Sequence, residues 1–242
     1  MNHTKRSNTS DKPVLVIVHG AWGGSWTWRQ AASMLTRKGY TVYRPSLTGL
    51  GERMHLATPD ISLSTHINDI VNVFIFEDLH NVILIGHSYG GMVVTGVADR
   101  IPDRIQRLIY IDAFLPENGE SVESIQKPRG KWNEYKLEGG FVVPHWVEAD
   151  QPFPKDVPQS AKTFTEPIIL KNQSARKLPA SYILMVQPNH IANENDFVFH
   201  AERAKKRGWP IYKLESDHNP QRTAPEALVN MLDCIVTGKS KK

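Results

Sequence analysis

Ser88 lies in the stretch Gly86-His87-Ser88-Tyr89-Gly90, directly after the apolar run Val82-Ile83-Leu84-Ile85. A polar residue that ends a buried run, with a glycine two positions to either side, fits a serine held in a sharp strand-to-helix turn. Such a turn crowds its flanks, and glycine removes the Cβ that would clash. The helix that follows aims its first amides at the turn, where they favour developing negative charge. A serine hydroxyl becomes a useful nucleophile once a base takes its proton. Among ten histidines, His218 alone follows the last predicted strand, in Leu214-Glu215-Ser216-Asp217-His218-Asn219-Pro220. Its position fits a nucleophile-then-histidine chain order.

Acyl transfer through Ser88 needs two backbone amides aimed at the oxygen that becomes charged. One candidate is the amide of Tyr89, the residue after the nucleophile. The other is the amide of Ala21, in the small-residue loop His19-Gly20-Ala21-Trp22-Gly23-Gly24 that follows the first apolar run. Small side chains there let a backbone amide approach a substrate carbonyl.

These residues need a scaffold that brings several strand ends together. The pattern predicts strands over residues 13–19, 41–45, 81–86, 106–112, 181–186 and 211–215. Helices are predicted over 26–38, 65–76, 90–100, 197–207 and 225–236. Strands apolar on both faces, alternating with helices, predict a parallel sheet covered on both sides. Between about 115 and 178 the alternation breaks. That stretch has seven prolines, large aromatics that include Trp132, Tyr135, Phe141, Trp146 and Phe153, and no clear period. It is too aromatic for a disordered linker and is expected to form a lid inserted over the sheet edge. Trp22, Trp132 and Trp146 are the aromatics expected to line a substrate pocket.

The chain has 242 residues, 40% of them hydrophobic and 22% charged, enough for one large domain with a real core. The net charge of +4 is scattered; neither 205–207 nor 239–242 is interleaved with stacking aromatics, so no nucleic-acid partner is expected. A single cysteine, Cys234, excludes an intrachain disulfide and a multi-cysteine metal site, and is expected to be a buried core thiol. Residues 1–12 are polar, without the apolar stretch of a signal peptide, and are read as a disordered tail; 239–242 form a basic tail. No apolar run is long enough to span a membrane. The expectation is a cytoplasmic protein, monomer or homodimer, with no metal and no cofactor.

The motifs HGAWGGSWTW (residues 19–28), GHSYGG (86–91) and DH (217–218) resemble the α/β-hydrolase superfamily. They are similar to small esterases related to plant methylesterases and hydroxynitrile lyases. The likeness covers the chain outside the lid and tails, and implies an α/β-hydrolase fold and a Ser-His-acid triad. In that superfamily the acid usually follows the strand here at 181–186. Residues 187–190, Gln-Pro-Asn-His, hold no carboxylate there. Some members, pancreatic lipases among them, place it after the strand that follows the nucleophile's helix. Asp112 has that position, and a carboxylate ending an apolar strand needs a donor such as His218. Asp112 is therefore the favoured acid, with Asp196 and Glu194 as alternatives.

The resemblance implies hydrolysis of small, apolar or aromatic carboxylic esters. Hydroxynitrile lyase relatives carry a lysine after the catalytic histidine, where this chain has Asn219. Their oxyanion loop also tends to hold a threonine that His19-Gly20-Ala21 lacks. Dehalogenases and epoxide hydrolases of this fold use an aspartate nucleophile, which Ser88 replaces. Cofactor-free ring-cleaving dioxygenases share the Ser/His/Asp set, and a slow-turnover ligand receptor would keep it, so both remain alternatives alongside hydroxynitrile lyase.

Overall fold

The structure, a computed structural model, describes residues 12–187 and 197–238. The chain runs through β1 (Leu15–Val18), α1 (Arg29–Arg37), β2 (Val42–Tyr43), α2 (Leu63–Phe76), β3 (Val82–His87), α3 (Gly90–Arg100) and β4 (Ile105–Ile111). An insertion follows, with α4 (Val122–Gln126), β5 (Lys136–Glu138), β6 (Phe141–Val143), β7 (Gln159–Ser160) and α5 (Lys162–Thr165). The main alternation then resumes with β8 (Ala180–Val186), α6 (Val198–Lys206), β9 (Ile211–Glu215), the short α7 (Pro220–Thr223) and α8 (Pro225–Thr237).

Six strands form one sheet in the order β2-β1-β3-β4-β8-β9, every neighbouring pair parallel. Alternate residues of each inner strand serve opposite cores, as the period of two requires. Val16, Val18, Leu84 and Tyr110 pack with residues of α2, α3 and α6 such as Ile67, Val93 and Ala201. Leu15, Ile17, Ile85 and Ile111 pack with Leu35 of α1 and Leu228 and Leu232 of α8. Burial on both faces excludes water from the strand hydrogen bonds and fixes register. In that register Val18 pairs with Gly86 and His87 with Ile111. The residues just past β1, β3 and β4 therefore emerge side by side at the carboxyl edge of the sheet. The chain leaves β1 towards β2 on one side and returns to β3 on the other, the topological crevice where open α/β sheets bind ligands.

Several boundaries move for identifiable reasons. A 3-10 turn, Ser25–Trp28, replaces the first turn of the helix expected from residue 26. The helix expected from 65 begins at Leu63 because Ser62 caps it: Thr65 N–H donates to Ser62 Oγ, and Ser62 N–H donates to Thr65 Oγ1. The strand expected over 41–45 contracts to Val42–Tyr43 at the sheet edge, ahead of Pro45, which has no N–H to offer. Lys12, expected in a disordered tail, is instead held: its ammonium lies 2.8 Å from Asp233 Oδ1 and over the Tyr40 ring. Cys234 is only partly buried, not a core thiol, because it flanks the inward-facing stripe of α8. Residues 1–11 and 239–242 lie outside the described residues. Among the described residues no helix is long and apolar enough to cross a membrane.

Four histidines, His19, His66, His87 and His200, are buried in this fold. Loss of hydration pushes the first two down to about 4 and the last two down to about 3. Unfolded, the same rings take up protons near pH 6.5. The unfolded chain thus binds more protons between those values, so stability is complete above about pH 6.5 and falls as pH drops towards 4. Each ring contributes a slope of up to about 1.4 kcal/mol per pH unit in that window. Urea unfolding at pH 7 and pH 5 checks this: the midpoint is expected to be lower at pH 5, and an equal or higher midpoint contradicts it.

Candidate active site

Ser88 is the first residue past β3, with φ of +53°, the left-handed region that costs a non-glycine residue energy. Close packing forces that conformation. A Cβ on Gly86 would fall 2.7 Å from Val94 Cγ2, and one on Gly90 would fall 2.6 Å from the Val18 carbonyl oxygen. The corner is tied to the next strand by two backbone bonds, Ser88 N–H to the Ile111 oxygen and Phe114 N–H to the Ser88 oxygen. The start of α3 follows at once, so its unsatisfied amides face the serine.

Asp112 repeats the same geometry one strand over. It is the first residue past β4, has φ of +41°, and is 2% exposed. Its Oδ1 accepts from Met185 N–H at 3.1 Å, and its Oδ2 lies 2.7 Å from His218 Nδ1. His218 Nε2 lies 2.9 Å from Ser88 Oγ. A carboxylate on one side requires the imidazole proton at Nδ1, which leaves the Nε2 lone pair to accept from the serine hydroxyl. Two rings pack against it: Phe197 stacks on it at 4.7 Å between centroids, and His87 lies tilted 4.9 Å away. The loop carrying it is pinned by His87 Nε2–H on the His218 carbonyl and by Asp217 Oδ1, which accepts from Asn219 N–H and the Thr223 hydroxyl. The alternative acids Glu194 and Asp196 lie outside the described residues.

The loop after β1 meets this line from the other side. A Cβ on Gly20 would sit 3.0 Å from Ser88 Cβ, so the loop backbone rests against the serine. Buried His19 holds the loop in place: its Nε2 accepts from Leu47 N–H, so Nδ1 carries the proton and donates to the Gly20 carbonyl. Among the described residues, neither the Ala21 nor the Tyr89 amide has a hydrogen-bond acceptor, and both residues line the cavity with Ser88 and His218. Trp22, at φ of +60°, is fixed by three bonds to the insertion. Its N–H donates to Gln159 Oε1 at 2.9 Å, its indole N–H donates to the Val142 oxygen, and its carbonyl accepts from Val157 N–H. Gln159, 1% exposed, is itself held by donating to the Thr163 hydroxyl.

The cavity over Ser88 encloses about 860 Å³. Trp22 lines it. Trp132 and Trp146 do not: Tyr135 stands in front of Trp132, 5.2 Å between rings, and Trp146 packs its edge on Trp22 while its indole N–H bonds Asp156. The aromatic wall is instead Phe114, Tyr135, Phe164 and Phe197 with Trp22. Tyr135 and Phe164 come from the aperiodic insertion, where spacing gives no sign of which rings face inward. His66 also escaped notice as a site residue. It accepts from the Tyr89 hydroxyl and donates to the Thr48 carbonyl, so the side chain of the residue after Ser88 is tied to the loop at Thr48 through this ring.

Residues 15–231 match the model of the Alpha/beta hydrolase family, and the chain belongs to that family. Among curated proteins it is 35% identical to the carbendazim hydrolyzing esterase of Nocardioides sp. (strain SG-4G), over 91% of this chain and 98% of that one. It is 28% identical to methylesterase 2 of Arabidopsis thaliana, a match confined to 50% of this chain and 47% of that protein. Among solved structures, an Arabidopsis methylesterase superposes with a TM-score of 0.73 at 24% identity, covering 94% of this chain and all of the other. At that identity the likeness speaks for the fold alone.

The Trp22–Gln159 bond makes a mutational forecast. Gln159→Leu keeps the packing volume but removes the acceptor that fixes the loop bearing Ala21. Turnover of p-nitrophenyl butyrate is expected to fall by about tenfold in kcat, the equivalent of one neutral hydrogen bond lost from a positioned loop. An unchanged kcat in a folded variant contradicts that role.

Proposed function

We propose that this carboxylic ester hydrolase works through Ser88, His218 and Asp112 by way of an acyl-enzyme. The observation that carries the reading is the hydrogen-bond line from Ser88 Oγ through both nitrogens of His218 to Asp112. Ser88 Oγ attacks the ester carbonyl carbon as His218 Nε2 takes its proton. The carbonyl π pair moves onto oxygen, where the Ala21 and Tyr89 amides stabilise it, each worth about 3 kcal/mol. Collapse expels the alcohol, protonated by the imidazolium, and leaves an acyl group on Ser88. Water, deprotonated by the same nitrogen, then releases the acid and restores the serine. Asp112 stays ionised throughout and stabilises the imidazolium. Only groups of the chain and water take part.

The aromatic wall supports small apolar or aromatic esters as substrates, since flat rings there replace water at little polar cost. The test is a panel of short p-nitrophenyl esters, aromatic methyl esters and carbendazim, the compound for which the 35% identical relative is named. Ser88→Ala and Asp112→Asn are each expected to lower kcat/KM by about 10⁴-fold. Asp196→Asn and Glu194→Gln are expected to stay within about threefold, since on this reading neither carboxylate orients His218. Turnover that survives Ser88→Ala, or a greater loss from Asp196→Asn than from Asp112→Asn, overturns the assignment. Absence of turnover by the wild type on every ester favours a receptor or a cofactor-free dioxygenase role.

A further inference from the structure

The cavity wall carries one buried polar group that the proposed reaction does not use. Three of its lining residues are polar and nearly inaccessible: Tyr89, Asp112 and Gln126. The Tyr89 hydroxyl is bonded to His66, and Asp112 to His218 and Met185. Gln126 is 3% exposed, its Oε1 has no hydrogen-bond partner, and among the described residues none is found for Nε2. Its backbone is held firmly. Ser121 and Ser124 cap α4 reciprocally, and the Gln126 carbonyl accepts from Lys131 N–H. A fixed backbone thus sets an amide without internal partners in the wall of the cavity that Tyr135 and Phe164 also line, with Oε1 turned inward and inaccessible.

An amide in that position is expensive as packing material. Leucine or methionine would fill similar volume without leaving a donor and an acceptor unpaired. The amide gains a purpose when a ligand supplies the missing partners. The last torsion of glutamine is broad and two-fold, and with no internal bond to hold it, either the oxygen or the nitrogen can turn to the cavity.

We propose that Gln126 is a specificity-determining residue that recognises a planar carboxamide-type group on aromatic ester substrates. The amide offers the ligand one atom at a time: Nε2–H donates to the ligand's carbonyl, or, after a half-turn of the last torsion, Oε1 accepts from the ligand's N–H, with the ring against the aromatic wall. A substrate that fills the cavity displaces the water that could otherwise serve this amide. One without a hydrogen-bonding group then leaves it orphaned, which is how a polar site rejects apolar analogues. This inference rests on the ester-hydrolase reading only for its kinetic arm, because binding can be measured without turnover.

The kinetic arm compares methyl 3- and 4-carbamoylbenzoate with their isopropyl counterparts, which have the same heavy-atom branching and similar size and lack the hydrogen bonds. Carbamoylphenyl and isopropylphenyl acetates probe the alcohol side in the same way. Intrinsic reactivity cancels when the carbamoyl-to-isopropyl ratio of kcat/KM in the wild type is divided by that in Gln126→Leu. That quotient is expected to reach about tenfold or more in one of the two series. Gln126→Met, the closer isostere, serves in parallel should the leucine variant fail to fold. The binding arm titrates benzamide calorimetrically into Ser88→Ala with Gln126 intact or replaced by methionine, with affinity expected to weaken about tenfold on replacement. Dependence of benzamide binding on Gln126 without ester turnover by the wild type upholds this inference and removes the esterase reading. Quotients within twofold of unity in both series, with benzamide affinity unchanged, overturn it.

Discussion

A carboxylate buried at the end of an apolar strand is the constraint around which this site is organised. Asp112 cannot sit 2% exposed without donors, because burying an unpartnered charge costs several kcal/mol. Its two oxygens are met by a strand amide from β8 and by the imidazole of His218. That requirement fixes the histidine's tautomer and turns its other nitrogen to Ser88. It also explains why two non-glycine residues adopt left-handed backbone on neighbouring strands. Ser88 and Asp112 both turn out of the sheet in the same register, linked through the Ser88–Ile111 and Phe114–Ser88 backbone bonds. Strain at either corner is stabilised by the same parallel pairing that aligns them.

The insertion is tied into this machinery rather than laid over it. Trp22 follows directly on Ala21, and its backbone and indole are bonded to Gln159, Val157 and Val142 of the insertion. The loop after β1 and the aromatic wall of the cavity therefore share one set of hydrogen bonds. Tyr135 and Phe164 stack around the same tryptophan, so a change in the wall is transmitted to the loop through packed rings. On the proposed reaction, specificity and transition-state stabilisation would be mechanically coupled through this one cluster.

How much of this could be read from the residues follows from the range of the forces involved. The Ser88 corner was legible because its glycines answer a local steric demand, and His218 because chain order and a strand end locate it. Asp112 stood out as a charge on an apolar strand, and the structure brings it within hydrogen-bonding distance of His218. The insertion was not legible. Its small antiparallel sheet turns on Gly139-Gly140, at φ of +56° and +85°, a two-residue hairpin signal that the surrounding prolines and aromatics obscured. Which aromatics face the cavity depends on that sheet, so Tyr135 and Phe164 took the places expected for Trp132 and Trp146. Gln159 meets Trp22 across 137 residues through a backbone amide, a contact that leaves no trace in residue type or spacing.

The central claim is that Ser88 is the nucleophile made reactive by this geometry. Diethyl p-nitrophenyl phosphate tests it directly, because an activated serine displaces p-nitrophenolate and keeps the diethylphosphoryl group. Peptide mapping by mass spectrometry is expected to find one such group per chain, on the peptide containing Ser88, with none on heat-denatured protein. A native chain that stays unmodified, or that carries the group on another residue, contradicts the account.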